Sequence, residues 1–273
     1  MGHRAMKARR VAVIGFGAIA GELVETLLAS AEAEYRVAVW LRPGSASRDR
    51  VPSGIVVAES AAELAAFAPD LVVEAAGHGA VREQVPDALA LGLPVLVSSI
   101  GALHDDALKD CLVEAAKAHG GRLLLPSGAL GALDYVRAVR SARQLQLGYE
   151  SRKPPAAWAK ELEALGHDPK AVTAPLTLFE GTARQAAADY PQNLNVAAAL
   201  ALAGPGFEAT RVSVVCDPEA SGNTHVVRAQ SEFGTMQLTI ANRPSPTNPK
   251  SSWIVGRSLL AAIDQYFSPV MML

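Results

Sequence analysis

Along the first half of the chain, short runs of Val, Ile and Leu alternate with longer stretches in which apolar residues return every three or four positions. That rhythm predicts strand and helix in turn, the pattern of a parallel sheet with crossover helices. Strands are expected in RRVAVI, in 35–45, 55–57, 71–75, 94–98 and 122–125, with helices between them. One helix opens at Ser60 with Glu63 three residues on, the spacing of a capping box; others are expected at 80–91 and 104–119. Past Pro126 the rhythm changes. Strand-like runs at 144–150, 175–180, 211–216, 224–230 and 235–241 predict a mixed or antiparallel sheet, and helices are expected after 131 and near 155–165, 182–188 and 194–203. A Pro-rich segment, 243–249, precedes a last amphipathic helix at 252–266. The expected fold class is α/β, a doubly wound parallel sheet of the Rossmann type plus a second α+β domain. The first domain is expected at 1–125, with the C-terminal helix of 250–273 packing back on it, and the second at 126–249.

The first strand runs directly into GFGAIAG at 15–21. Gly15 permits a sharp turn, Gly17 leaves no Cβ between backbone and a pyrophosphate, and the small Ala20 lets the following helix pack close to the strand. The N–H groups of Ala18 and Ile19 then open a helix, where phosphate oxygens bind. Strand, glycine turn and helix in this order predict a dinucleotide site. NAD-selective sites place a carboxylate at the end of the second strand to hold the ribose 2′-hydroxyl. Here that strand ends in Leu41 and Arg42. Arg42, with Ser45, Ser47, Arg48 and Arg50 nearby, is a guanidinium-rich segment suited to a 2′-phosphate, so NADP is expected at least as readily as NAD.

Composition narrows the partners. Lys and Arg number 25 against 27 Asp and Glu, so the formal net charge of −2 does not point to nucleic acid or an anionic membrane. A small molecule is the expected partner, with self-association into a homo-oligomer, a dimer. Cys111 and Cys216 are the two cysteines, expected buried and reduced, and no His or Cys spacing suits a metal. The first strand begins by Val11 and no apolar run approaches membrane-spanning length, so a cytoplasmic location is expected.

Loops at the carboxyl ends of parallel strands face the cofactor crevice, and three here are built from small residues: 76–80, 98–102 and 126–131. His78, between two glycines, either contacts the cofactor or caps the next helix. Asn193 and Asn195 open an otherwise Ala/Leu helix; one is read as an N-cap, and the other, Asn195, offers the paired donor and acceptor that match the carboxamide of nicotinamide. His225, entering a strand, is either a satisfied structural residue or a general acid/base.

The chain resembles the L-aspartate dehydrogenase family over essentially its whole length. The motifs are GFGAIAG (15–21), EAAGHGAVREQVP (74–86), SGALGALD (127–134), RKPPAAW (152–158), FEGTARQAAADYPQNLNVAAALALAG (179–204), DPEASGNTH (217–225) and SPTNPKSS (245–252). The resemblance implies NAD- or NADP-dependent oxidation of L-aspartate to iminoaspartate, then oxaloacetate and ammonia, with the imine able to feed nicotinamide-cofactor biosynthesis. It implies that His225 is the active-site histidine and that Ala129 and Asn195 contact the cofactor. Ala20 stands where the family usually has the third loop glycine. Lys153, Arg184, Lys250, Ser251 and Ser252 are candidates for holding the substrate carboxylates. The competing readings are another dehydrogenase or reductase of dihydrodipicolinate-reductase-like architecture and a non-catalytic dinucleotide sensor. The first is disfavoured because none of the six histidines adjoins another, and a related sugar dehydrogenase because 97–102 lacks a lysine.

Overall fold

The computed structural model describes residues 8–190, 195–246 and 251–272. It divides into two compact units, the first running to Pro126 and joined by Leu259–Val270, the second spanning Ser127–Ser258 with the residues from Met271.

In chain order the first unit contains β1 (Arg9–Ile14), α1 (Ala18–Leu28), β2 (Tyr35–Trp40), β3 (Val56–Ala58), α2 (Ala61–Phe67), β4 (Leu71–Glu74), α3 (His78–Glu83), α4 (Val85–Ala90), β5 (Pro94–Val97), α5 (Asp106–His119) and β6 (Arg122–Leu124). The six strands pair in parallel in the order β3-β2-β1-β4-β5-β6. Strand order reverses between β1 and β4, and ligands of such sheets bind outside the carboxyl ends of the strands at that switch point. Val11, Ala12, Val13 and Ile14 are all fully buried, as a central strand covered on both faces requires.

Two local expectations change. The helix expected at 80–91 is broken into α3 and α4, because Pro86, at the start of α4, has no N–H and its ring collides with the carbonyl a turn earlier. Ser60 does cap α2, its hydroxyl accepting from Glu63 N–H at 3.2 Å, but the Glu63 carboxylate accepts from Glu59 N–H rather than from Ser60. Cys216 is buried; Cys111 is exposed on the outer face of α5, so the expectation that both are buried fails there.

The second unit contains α6 (Leu133–Val139), β7 (Gln146–Lys153), α7 (Ala159–Ala164), β8 (Leu176–Thr182), α8 (Ala183–Asp189), α9 (Asn195–Ala203), β9 (Thr210–Cys216), β10 (Asn223–Ser231) and β11 (Gly234–Asn242). Its five-stranded sheet is ordered β11-β10-β7-β9-β8, with β7 and β9 parallel and the remaining pairs antiparallel. The last helix, α10 (Ile254–Phe267), belongs to the first unit from Leu259 onward. Leu259 and Ile263 are fully buried in the cluster formed by Leu23, Leu27 and Val37, and each such side chain contributes roughly 1.5–3 kcal/mol. Tyr35 donates to Asp264 at 3.0 Å and Tyr266 to the Asp70 carbonyl at 3.1 Å, fixing the rotation of the helix. No helix among the described residues is long and apolar enough to cross a membrane.

Candidate active site

The first unit carries a cleft of about 330 Å³ lined by Gly15, Gly17, Arg42, Ala76, Gly77 and Gln84, among others. Gly15 has φ +89°, and a Cβ there would stand 2.5 Å from Ala76 Cβ, so both conformation and space demand glycine. Gly17 differs: a Cβ on it would meet nothing within 4 Å, so its bareness leaves open space at the head of α1. That helix has no side-chain cap and no acid in its first turn. The first-turn N–H groups of Ala18 and Ile19 are the donors a phosphate needs. Ala20 is fully buried, which satisfies the close packing asked of the third glycine position.

Glu74 organises the opposite wall. Fully buried at the end of β4, its carboxylate accepts from the backbone of Ala76 (2.8 Å), Gly77 (2.7 Å) and Ser99 (2.9 Å) and from the Ser99 hydroxyl (3.0 Å). One buried charge thereby joins the loops after β4 and β5, four donors offsetting its desolvation. Gln84 is buried and faces the same cleft, and its Nε2 has no hydrogen-bond partner among the described residues. A roomy glycine turn, an uncapped helix and an unsatisfied buried amide together fit a dinucleotide.

The basic segment after β2 sorts into three roles. Arg42 lines the cleft, 71% exposed and 3.9 Å from Glu83. Arg48 is engaged by Glu59 at 2.6 Å. Arg50 donates to the Phe16 carbonyl (3.2 Å) and to Ser47 (2.7 Å), bracing the glycine turn. His78 is the first residue of α3, with Gly77 as the cap, and is not among the residues lining the cleft.

In the second unit the informative feature is a polar column on a buried sheet face. Side chains alternate across a strand, and Leu147, Tyr149, Ser151 and Lys153 all point inward from β7. His225 lies directly opposite Ser151 on β10 and is 3% exposed, and Asn223 follows two residues along on the same face. Burying so many polar groups side by side is costly unless each finds a partner. His225 Nδ1 lies 2.8 Å from the Tyr149 hydroxyl, and the rings stack 19° from parallel with centroids 6.0 Å apart. His225 Nε2 is buried with no hydrogen-bond partner among the described residues. Burial, with the Lys153 charge nearby, lowers the His225 pKa to about 4. Lys153 Nζ stands 4.8 Å from the centroid of the Trp158 ring, whose Nε1 donates to the Val215 carbonyl at 3.2 Å.

Asn223 donates to the buried Ser252 hydroxyl at 3.1 Å. Asn242, paired with Asn223 across β10 and β11, donates to the Ala129 carbonyl at 2.9 Å, and Gly128 N–H is held by Ser258 at 2.9 Å. Ala129 and Ser252 are thus tied to the same strand ends as His225. Asn195 opens α9, half-buried. Ser251 contributes its carbonyl to Ser245 N–H. Arg184 is bound to Glu208 and lies over Phe207, 5.3 Å from the ring centroid. Lys250 and Asn193 fall outside the described residues. Sequence reasoning missed Tyr149, Ser151, Glu74 and Gln84.

A parallel sheet in this strand order with a glycine turn at the switch point defines a dinucleotide-binding protein, here with a second α+β unit. A family model for the NAD-binding domain of homoserine dehydrogenase matches residues 15–126, and one for the C-terminal part of aspartate dehydrogenase matches 134–266. The chain is 45% identical to L-aspartate dehydrogenase 2 of Bordetella pertussis over 95% of its own length and 97% of that protein. It is 43% identical to L-aspartate dehydrogenase of Ruegeria pomeroyi, covering 94% of this chain and 92% of that one. The crystal structure of aspartate dehydrogenase from Thermotoga maritima superposes with a TM-score of 0.77 at 25% identity, covering 98% of this chain and all of that one. The chain belongs to the L-aspartate dehydrogenase family.

Proposed function

We propose that the protein catalyses the NAD(P)-dependent oxidative deamination of L-aspartate, with His225 as the acid/base. The observation that carries the reading is the buried imidazole of His225, its Nε2 without a partner among the described residues, beside the buried Lys153.

Gly15, Gly17, Ala18 and Ile19 would hold the pyrophosphate of the dinucleotide, Arg42 the 2′-phosphate of NADP, and Ala129 and Asn195 the nicotinamide end. Bound, the cofactor supplies an acceptor for the hydride on C2 of aspartate. That hydride leaves only when the amine lone pair can form the C=N bond, so the substrate ammonium must first lose a proton. His225 is neutral near pH 7 because burial and Lys153 disfavour its charged form, so its lone pair is available for that proton. A carboxylate of the substrate, drawn to Lys153, would offset that cation and make the imidazole a stronger base as substrate binds. Water then hydrolyses the iminium to oxaloacetate and ammonium. Ser252, tied to Asn223, is a hydroxyl donor for the substrate carboxylates; the imine is also a chemically competent feed for nicotinamide-cofactor synthesis.

The test follows reduced-cofactor absorbance with L-aspartate, L-malate and L-homoserine and with both cofactors. L-Aspartate is expected to support reduction and the others not. Equal turnover of L-malate, which has a hydroxyl in place of the amine, would overturn the amino-acid reading.

A further inference from the structure

The His225–Tyr149 contact bears on which ring nitrogen carries the proton. A neutral imidazole has one N–H and one lone pair, and the hydrogen bond at one nitrogen decides what the other can do. If the phenol donated to Nδ1, the ring proton would sit on Nε2, a buried N–H with no acceptor among the described residues. A buried N–H left without an acceptor carries the full cost of its desolvation. If Nδ1–H donates instead, Nε2 keeps a lone pair and the phenolic proton needs an acceptor. Ser151 stands in place for that. It is two residues from Tyr149 on the same face of β7 and directly opposite His225, near enough to the phenol to lower its pKa, and its buried hydroxyl makes no hydrogen bond with any described residue.

We infer that Tyr149 is the positioning residue of His225: its Oη accepts from Nδ1–H and donates its own O–H in a hydrogen bond to Ser151, holding the imidazole in the tautomer whose Nε2 lone pair takes the substrate proton. The step balances as a proton transfer. An N–H bond of the substrate ammonium breaks, an Nε2–H bond forms, and the imidazolium keeps Nδ1–H on Oη. Burial drives the Tyr149 pKa above its ordinary value, so the phenol stays neutral and does not compete for the proton as phenolate. Among the described residues, the titratable groups facing His225 are Tyr149 and Lys153 on β7; Ile240 stands across from it on β11. The inference rests on His225 being the proton acceptor.

Nitrogen-15 NMR of histidine-labelled protein without ligands reads the tautomer directly, with the His225→Gln spectrum assigning the resonance. The wild type is expected to show Nδ1–H, and Tyr149→Phe, which keeps the ring and removes the hydroxyl, a shift toward Nε2–H. Ser151→Ala should move the population the same way by less, and serves if the Phe variant folds poorly. An Nε2–H wild type, or a tautomer unmoved by either substitution, overturns the inference. In turnover, Tyr149→Phe is expected to lower kcat about 10–100-fold, the scale on which removing a partner that orients a working imidazole acts. Cofactor KM should stay the same, and in a His225→Ala background the Phe substitution should cost nothing more. If His225→Ala itself turns over normally, the acid/base reading fails. If that variant is inactive while Tyr149→Phe keeps normal kcat and tautomer, the positioning role alone fails.

Discussion

At His225 the low pKa is also a statement about stability. The group titrates near 6.5 in an unfolded chain and at about 4 when folded, so between those values the unfolded state binds the extra proton. Its contribution is complete above pH 6.5 and is lost as pH falls toward 4, amounting to roughly 3 kcal/mol. Asp217, held below the usual carboxylate range by Arg152, acts in a lower window, below its unfolded pKa of 3.8. Urea midpoints at pH 7 and pH 4.5 should therefore differ more in the wild type than in His225→Gln. Equal acid sensitivity would show that His225 is not buried neutral. Arg42 yields a second residue-scale test, since it alone of the three arginines near the glycine turn lines the cleft without a close ion pair. Arg42→Ala is expected to raise KM for NADP more than KM for NAD; an equal change assigns the 2′-phosphate elsewhere. The glycine turn was legible in the sequence because it follows an apolar strand directly, whereas the residues around His225 left its role open and only the family resemblance singled it out. Tyr149 and Ser151 were not, because ending the strand at 150 hides the alternation that carries 149, 151 and 153 onto one buried face.

Among the elements, β4 and the loop after it do the most to shape the nucleotide cleft. Glu74 reads in sequence as the end of an apolar strand. Its meaning lies in partners 25 residues apart that no short-range pattern connects. Glu74→Gln sets an amide NH₂ against backbone N–H donors, leaving buried groups unsatisfied at about 1–3 kcal/mol each. We expect a lower melting temperature and several-fold weaker cofactor binding, followed by quenching of Trp40, which lines the cleft. Unchanged affinity would mean that the two loops hold their shape without the carboxylate. Alternation of strand and helix made the first sheet readable, whereas the split between α3 and α4 turned on the single residue Pro86. In the second sheet the strands could be read from their apolar runs, but the parallel pairing of β7 with β9 depends on contacts 63 residues apart in register, such as Leu147 with Thr210.

For the whole molecule, the nucleotide cleft of the first unit is proposed to hold the pyrophosphate and His225 of the second to take the proton, so affinity and proton transfer should fail separately. Single-turnover reduction of NAD(P) by L-aspartate, with cofactor titration on the same samples, tests this most directly in the wild type and His225→Ala. His225→Ala is expected to keep its fold and cofactor affinity while reduction slows by about 10²–10⁴-fold, the contribution of a positioned acid/base group. Near-normal reduction across pH in that variant would contradict it and leave His225 a structural residue.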